Sequence, residues 1–255
     1  MTLKGLSLPE RRAATRAYPC LIVGVPGCGK STIVEFLTPE EKQETIIIDI
    51  ENKGLPSDLD SDYKTVVRMK PAGLISPDVA HLYQDYENVK YKTIAELFLY
   101  LRKAIAHPDV SRIVIDSFTA LVSEIETQML TVHNGFSSWV AYNAELQEFF
   151  NLIKQECKVV GCLLYVHAHY TPAKDPKDKE SENFAKVSGN KWYRLVESQF
   201  STVITIEDHK FIADNSNEYD STRIHRDLSP METDENSLVE LENILCNIGK
   251  PTTDA

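Results

Sequence analysis

A chain of 255 residues can bury one full α/β core, and nothing in its make-up calls for two. Its 42% hydrophobic and 25% charged residues are the balance of a water-soluble globular protein, and no apolar stretch approaches the roughly 20 residues of a membrane span. The net charge of -11 argues against basic surface spread over the whole protein for duplex DNA, and leaves room only for a local basic loop.

Residues 1–17 read as a mildly basic arm (Lys4, Arg11, Arg12, Arg16) ahead of one domain over 18–255, and they lack the apolar centre of a secretory leader. The 5 cysteines have no zinc-ligand spacing, so reduced thiols in a cytoplasm are expected. "YPCLIVG" predicts a buried strand, followed by a glycine-rich loop and a helix from Lys30 to about Leu37. "ETIIIDI" is a second buried strand. In "TIAELFLYLRKAIAH", Thr93 and Glu96 have capping-box spacing and Ile94, Leu97, Leu101 and Ile105 share one helical face. "RIVIDS" is a third strand. A long helix then places Trp139, Tyr142, Leu146, Phe149 and Ile153 three and four residues apart, and "VVGCLLYVHAHY" is a fourth apolar strand.

Continuous apolar strands alternating with amphipathic helices predict an α/β fold: a mostly parallel central sheet with helices on both faces. Thr171–Ser188 has neither periodicity nor apolar content and reads as a mobile loop. "FSTVITI" restores a strand, and a small β-rich C-terminal edge with a helix near Leu238–Ile248 closes the chain. Ligands of such sheets sit beyond the carboxyl ends of the strands, so every polar strand end is a candidate site.

Gly24-Val25-Pro26-Gly27-Cys28-Gly29-Lys30-Ser31 fits G-x-x-x-x-G-K-[ST] without departure, between a strand and a helix. Backbone N–H groups of such a loop turn inward around phosphates, Lys30 reaches the β/γ-phosphates, and Ser31 ligates Mg²⁺. Asp116, at the end of "RIVIDS", is the acid that holds the metal through its water shell. The residue after it is Ser117 and not glutamate, so a water-orienting carboxylate must come from elsewhere. Asp49 and Glu51 in "IIIDIEN" are two residues apart, and Glu51, further past the strand end, is the better placed. His167 and His169 share one face of the fourth strand, with His169 the stronger candidate to sense a γ-phosphate. Lys174, Lys177, Lys179 and Lys186 stand among nearly as many acids, either as a solvated loop or as a nucleic-acid or partner contact. Phe184 and Trp192, at its far end, are the nearest aromatics for stacking on bases, with Trp192 a candidate for the core as well.

The set "GVPGCGKST", "IIDIEN", "VIDSFTALV" and "YVHAHY" resembles the RecA-like P-loop ATPases. More closely, "IDIENKGLP", "GFSSWVAYNAELQEFFNLIK" and "KVSGNKWYRLVESQF" resemble bacteriophage-encoded nucleotide-binding proteins that act in single-strand annealing and recombination. The resemblance implies ATP and Mg²⁺ as cofactors, with Lys30, Ser31 and Thr32 as their ligands and Asp116 as the strand-end acid. It implies Glu51 as catalytic glutamate, His169 as sensor (a position where that family often carries an amide), and Lys191 as a cation offered to a neighbouring subunit. It further implies single-stranded DNA as partner, a homo-oligomer, and the host cytoplasm for a phage-encoded chain. Two other functions fit a phosphate loop: a small-molecule kinase, which needs an arginine-rich lid that this chain lacks, and a non-hydrolysing assembly switch.

Overall fold

The computed structural model describes residues 3, 5–55, 58–71, 76–171, 184–188, 191–192, 195–215, 222–224 and 226–246. Its strands are β1 (Cys20–Gly24), β2 (Thr45–Asp49), β3 (Thr65–Met69), β4 (Val89–Lys92), β5 (Arg112–Asp116), β6 (Leu163–Thr171), β7 (Phe184–Ala185), β8 (Thr202–Glu207), β9 (Lys210–Ala213) and β10 (Met231–Glu232). The main sheet runs β10-β9-β8-β1-β6-β5-β2-β3-β4, and β7 pairs with the end of β6. From β8 to β4 every pairing is parallel; β9 and β10 add the antiparallel edge. The mostly parallel sheet flanked by helices is what the alternation of apolar strands and helices predicts, and it is a P-loop NTPase fold, as the resemblance implies.

The helices are α1 (Leu8–Ala14), α2 (Pro39–Lys42), α3 (Pro77–Ala80), α4 (Ile94–Ala106), α5 (Phe118–Val132), α6 (Phe136–Val160) and α7 (Leu238–Leu245). Side chains alternate along each strand, so β1 feeds two cores. Leu21 and Val23 join the layer of α4, α5 and α6, while Cys20 and Ile22 face Ile33, Leu238 and Leu241. Thr93 caps α4 as its spacing predicts, and Ile94, Leu97, Leu101 and Ile105 are all buried. In α6 Tyr142, Leu146, Phe149 and Ile153 are buried, but Trp139 is 37% exposed. No helix among the described residues is long and apolar enough to cross a membrane.

Three expectations need correcting. The helix predicted from Lys30 to Leu37 is only a 3₁₀ turn over Ser31–Val34. Thr32, Ile33 and Val34 are consecutive β-branched residues that crowd an α-helical turn, and Thr38 then caps the start of α2. Trp192 is no stacking platform: it is 3% exposed and packs on Phe150 with ring centroids 5.0 Å apart. The far end of the expected loop is the strand β7, paired antiparallel with β6. Lys174, Lys177 and Lys179 lie outside the described residues.

Two features have no counterpart in the sequence pattern. β3 and β4 extend the sheet beyond β2. α1 lies against the end of α6, with Arg12 Nε donating to the Val159 carbonyl at 2.6 Å and Arg11 to the Val110 carbonyl at 3.2 Å. Deeper in, Arg112 at the start of β5 is fully buried. It donates to both carboxylate oxygens of Glu242 in α7, at 2.5 and 2.6 Å, and to Thr45 Oγ1 at 3.0 Å. Tyr165 Oη donates to the same Glu242 at 3.0 Å and shares a 2.6 Å hydrogen bond with Tyr18.

Candidate active site

The carboxyl ends of β1, β6, β5 and β2 lie side by side, and Lys30, Ser31, Asp49, Glu51, Asp116, His167 and His169 stand there or just beyond. Register fixes the neighbours: Gly24 lies opposite His169, and Asp49 opposite Asp116. The loop after β1 needs its glycines for close approach. A Cβ on Gly24 would lie 2.6 Å from Cys28 Sγ and 2.8 Å from Ile206. Gly29 has φ +98°, and a Cβ there would meet His209 at 2.6 Å and Asn236 at 2.7 Å. Val25, Pro26 and Gly27 form the exposed crest, while Cys28 turns inward.

Lys30 is buried, and its ammonium donates to the carbonyls of Gly24 at 2.9 Å and Val25 at 2.7 Å. Burial pulls its pKa down, opposed by Cys28 and Asp116. Thr32 Oγ1 donates to the Gly29 carbonyl at 2.9 Å, and Asn236 Nδ2 donates to both of those oxygens at 2.8 Å. The residues just before α7 therefore brace the phosphate loop.

Ser31 Oγ donates to Asp116 Oδ2 at 2.5 Å. Burial raises the Asp116 pKa, but His167, the Ser31 hydroxyl and the charge of Lys53 outweigh it and hold the carboxyl well below its ordinary range. His167 is fully buried, its Nδ1 3.6 Å from Asp116 Oδ1. The Asp116–Ser117 peptide is cis.

Glu51 and Asp49 separate cleanly. Asp49 is buried and accepts from the backbone N–H groups of Lys53 at 3.1 Å and Gly54 at 2.9 Å, so it anchors the turn beyond β2. Glu51 stands free of that duty. Its Oε1 accepts from Ser117 Oγ at 2.7 Å and lies 3.6 Å from His169 Nε2, while Oε2 pairs with the Lys53 ammonium. Burial pushes the Glu51 pKa up, but Lys53 and Ser117 bring it below the ordinary value, so the carboxyl is ionised at neutral pH. His169 is pulled down by burial and by Lys30, despite Glu51, which favours a neutral imidazole. The two histidines thus divide: His167 beside Asp116, His169 beside Glu51.

A cleft of about 590 Å³ opens next to these groups, lined among others by Glu51, Thr119, Glu124, His169, Lys186 and Ser188. Thr119 accepts the His169 backbone N–H at 2.9 Å, and the His169 carbonyl accepts from the Lys186 N–H at 2.8 Å. The sequence reading missed Lys53, Thr119, His209 and Asn236. Lys53 was within reach, two residues after Glu51 in the same short stretch; the others arrive only through the fold.

The AAA domain family matches residues 16–234, from before β1 to beyond β10. The chain belongs to the AAA domain family of P-loop ATPases. Comparison with curated proteins finds no match. For a P-loop ATPase the donor set fits its cofactors. A hydroxyl and an ionised carboxylate meeting at one point are the kind of hard oxygen donors that Mg²⁺ would take, so Ser31 and Asp116 would hold it. Lys30 is close enough to Asp116 for the two charges to interact. In this AAA domain Lys30→Ala should lower ATP affinity about 10- to 100-fold, the scale of a lost hydrogen bond to a charged group, and turnover should fall with it. Equilibrium titration with a fluorescent ATP analogue reads the loss; unchanged affinity would remove the phosphate-loop assignment.

Proposed function

We propose that this AAA domain protein is an Mg²⁺-dependent ATPase of RecA-like type that works on single-stranded DNA as an assembly of like subunits, in phage-type recombination or replication. The observation that carries the reading is the approach of Glu51, from the strand beside that of Asp116, to Ser117 and His169. Placing β6 between β1 and β5 brings the histidine strand next to both the phosphate loop and the strand-end acid.

On this reading Lys30 and the loop amides hold the β- and γ-phosphates, and Ser31 and Asp116 hold Mg²⁺, which supplies charge neutralisation on the phosphate oxygens. Glu51 orients a water and takes its proton as the water attacks. His169, neutral and beside Glu51, donates to the γ-phosphate and so registers its loss. Its carbonyl accepts from the Lys186 N–H, and β7 pairs with Tyr170 and Thr171, so the described residues on either side of 172–183 are rooted next to the sensor. That root is what favours Lys174, Lys177 and Lys179 as the DNA contact. Lys191 rests over the Trp192 ring at 4.9 Å and is proposed as the cation offered to a neighbour.

Turnover with ATP alone, with ATP plus a nucleoside monophosphate, and with ATP plus single-stranded DNA separates the rival readings. Stimulation by DNA alone is expected; phosphoryl transfer to the monophosphate would make the protein a kinase. Neutralising Lys174, Lys177 and Lys179 together should weaken DNA binding and flatten its log–log salt dependence by about 0.7 per lost phosphate contact. Basal ATPase activity should persist. No DNA binding by the unaltered protein at low salt, with ATP and Mg²⁺, would defeat the DNA reading and leave the ATPase reading intact.

A further inference from the structure

Lys53 has no task in the chemistry proposed above, yet the turn that carries it is pinned at both sides. Asp49 accepts the backbone N–H groups of Lys53 and Gly54. Asn52, at φ +53°, accepts from the Met69 N–H at 3.0 Å and donates to the Met69 carbonyl at 3.1 Å, tying the turn to β3. The stem of Lys53 therefore starts from a fixed point, and its ammonium ends on Glu51 Oε2.

That contact has two consequences. Glu51 as it stands is occupied on both oxygens, Oε1 by Ser117 and Oε2 by Lys53. Each carboxylate oxygen keeps a lone pair for a water, but the ammonium on Oε2 lowers the basicity of a carboxylate that must take the water's proton, so Glu51 becomes the stronger base when that donor leaves. Ser117 is fully buried and fixed at the start of α5, whereas the Lys53 side chain is 56% exposed on a flexible stem. Lys53 is the donor that can leave. It is held separately from Lys30, whose buried ammonium donates to the Gly24 and Val25 carbonyls. Its charge acts on Asp116, Lys30 and His169, the groups arranged around the place of the γ-phosphate.

We propose that Lys53 is a further catalytic cation, which shifts from Glu51 to a γ-phosphate oxygen and so stabilises transferring charge while freeing the carboxylate for its water. The inference rests on the reading of this site as a hydrolytic one. In the step it serves, the water oxygen bonds to the γ-phosphorus as the bond to the β–γ bridging oxygen breaks. The electron pair leaves on ADP, and the water's proton passes to Glu51 and on to solvent. Lys53 gives only a hydrogen bond and keeps its proton. It would be a cation supplied within the same chain, the role an arginine finger fills elsewhere.

The test compares wild type with Lys53→Met and Lys53→Gln, each checked for an unchanged thermal midpoint. The readout is affinity for ADP and for ADP with aluminium fluoride, which mimics the transferring phosphoryl group, both with Mg²⁺. ADP affinity should stay within about twofold. Affinity for the aluminium fluoride complex should drop about tenfold or more, and turnover about 10²-fold, the lower range for one lost charge-stabilising donor. Lys53→Arg should restore most of both. Neutral variants that bind the aluminium fluoride complex as tightly as wild type would overturn the proposal. Turnover of the unaltered protein distinguishes the two failures: if it binds ATP with Mg²⁺ but releases no phosphate, the hydrolytic reading falls and takes this inference with it.

Discussion

Glu51→Gln is expected to cut ATP turnover by roughly 10²- to 10⁴-fold, the range associated with losing a general base, while ATP affinity changes by no more than about threefold. The amide keeps the volume and can still accept from Ser117, so the geometry at the end of β2 survives. What it cannot do is take a proton. Single-turnover hydrolysis and equilibrium binding separate the two effects. Asp49→Asn makes the sharpest contrast, because the Asp49 carboxylate holds the backbone of Lys53 and Gly54 and its loss loosens the turn as a whole. A variant pair in which Asp49→Asn stops turnover and Glu51→Gln does not would assign the base to the wrong acid.

The second large effect lies far from the chemistry. Glu242→Ala should destabilise the fold by about 3–5 kcal/mol, the cost of leaving a buried charge without its partner. Arg112 would keep Thr45 at 3.0 Å and Glu41 at 3.9 Å, but lose the carboxylate that accepts from two of its nitrogens. Tyr165 would lose its acceptor too. Urea unfolding measures the loss. The paired change Arg112→Met with Glu242→Leu should recover most of it, since removing both charges also removes the desolvation each suffers. A Glu242→Ala protein as stable as wild type would show that water reaches the guanidinium.

What could be read from the sequence was chemistry written in consecutive residues. The phosphate loop, Asp116 after three apolar residues and Glu51 after "IIIDI" each carry their context with them. The parallel sheet followed from strands apolar on both faces. Strands β3 and β4 escaped because "TVVRM" and "VKYK" are short and half polar, with no unbroken apolar run to mark them. The helix after the phosphate loop was over-extended because a motif's usual setting outweighed the local crowding of Thr32, Ile33 and Val34. Asn236 and His209 could not be found at all: they reach Gly29 from about the far end of the chain, 207 residues away in the case of Asn236. The division between Asp49 and Glu51 depended on backbone N–H groups, which no side-chain pattern records.

The Arg112–Glu242 pair also bears on the order in which the protein is made. Its two members are 130 residues apart, and β5 must enter the sheet between β2 and β6. On a ribosome, the phosphate loop, Asp116 and both histidines emerge well before residue 242. Through that interval the strand that ends in Asp116 begins with a cation that has Thr45 and Glu41 beside it but not yet the carboxylate of Glu242. Hydrophobic gain from β1, β2, β5 and β6 thus has to work against an incompletely compensated guanidinium until α7 arrives. The start of β5 is therefore fully compensated only once α7 is made, later than the phosphate loop, Asp116 and both histidines.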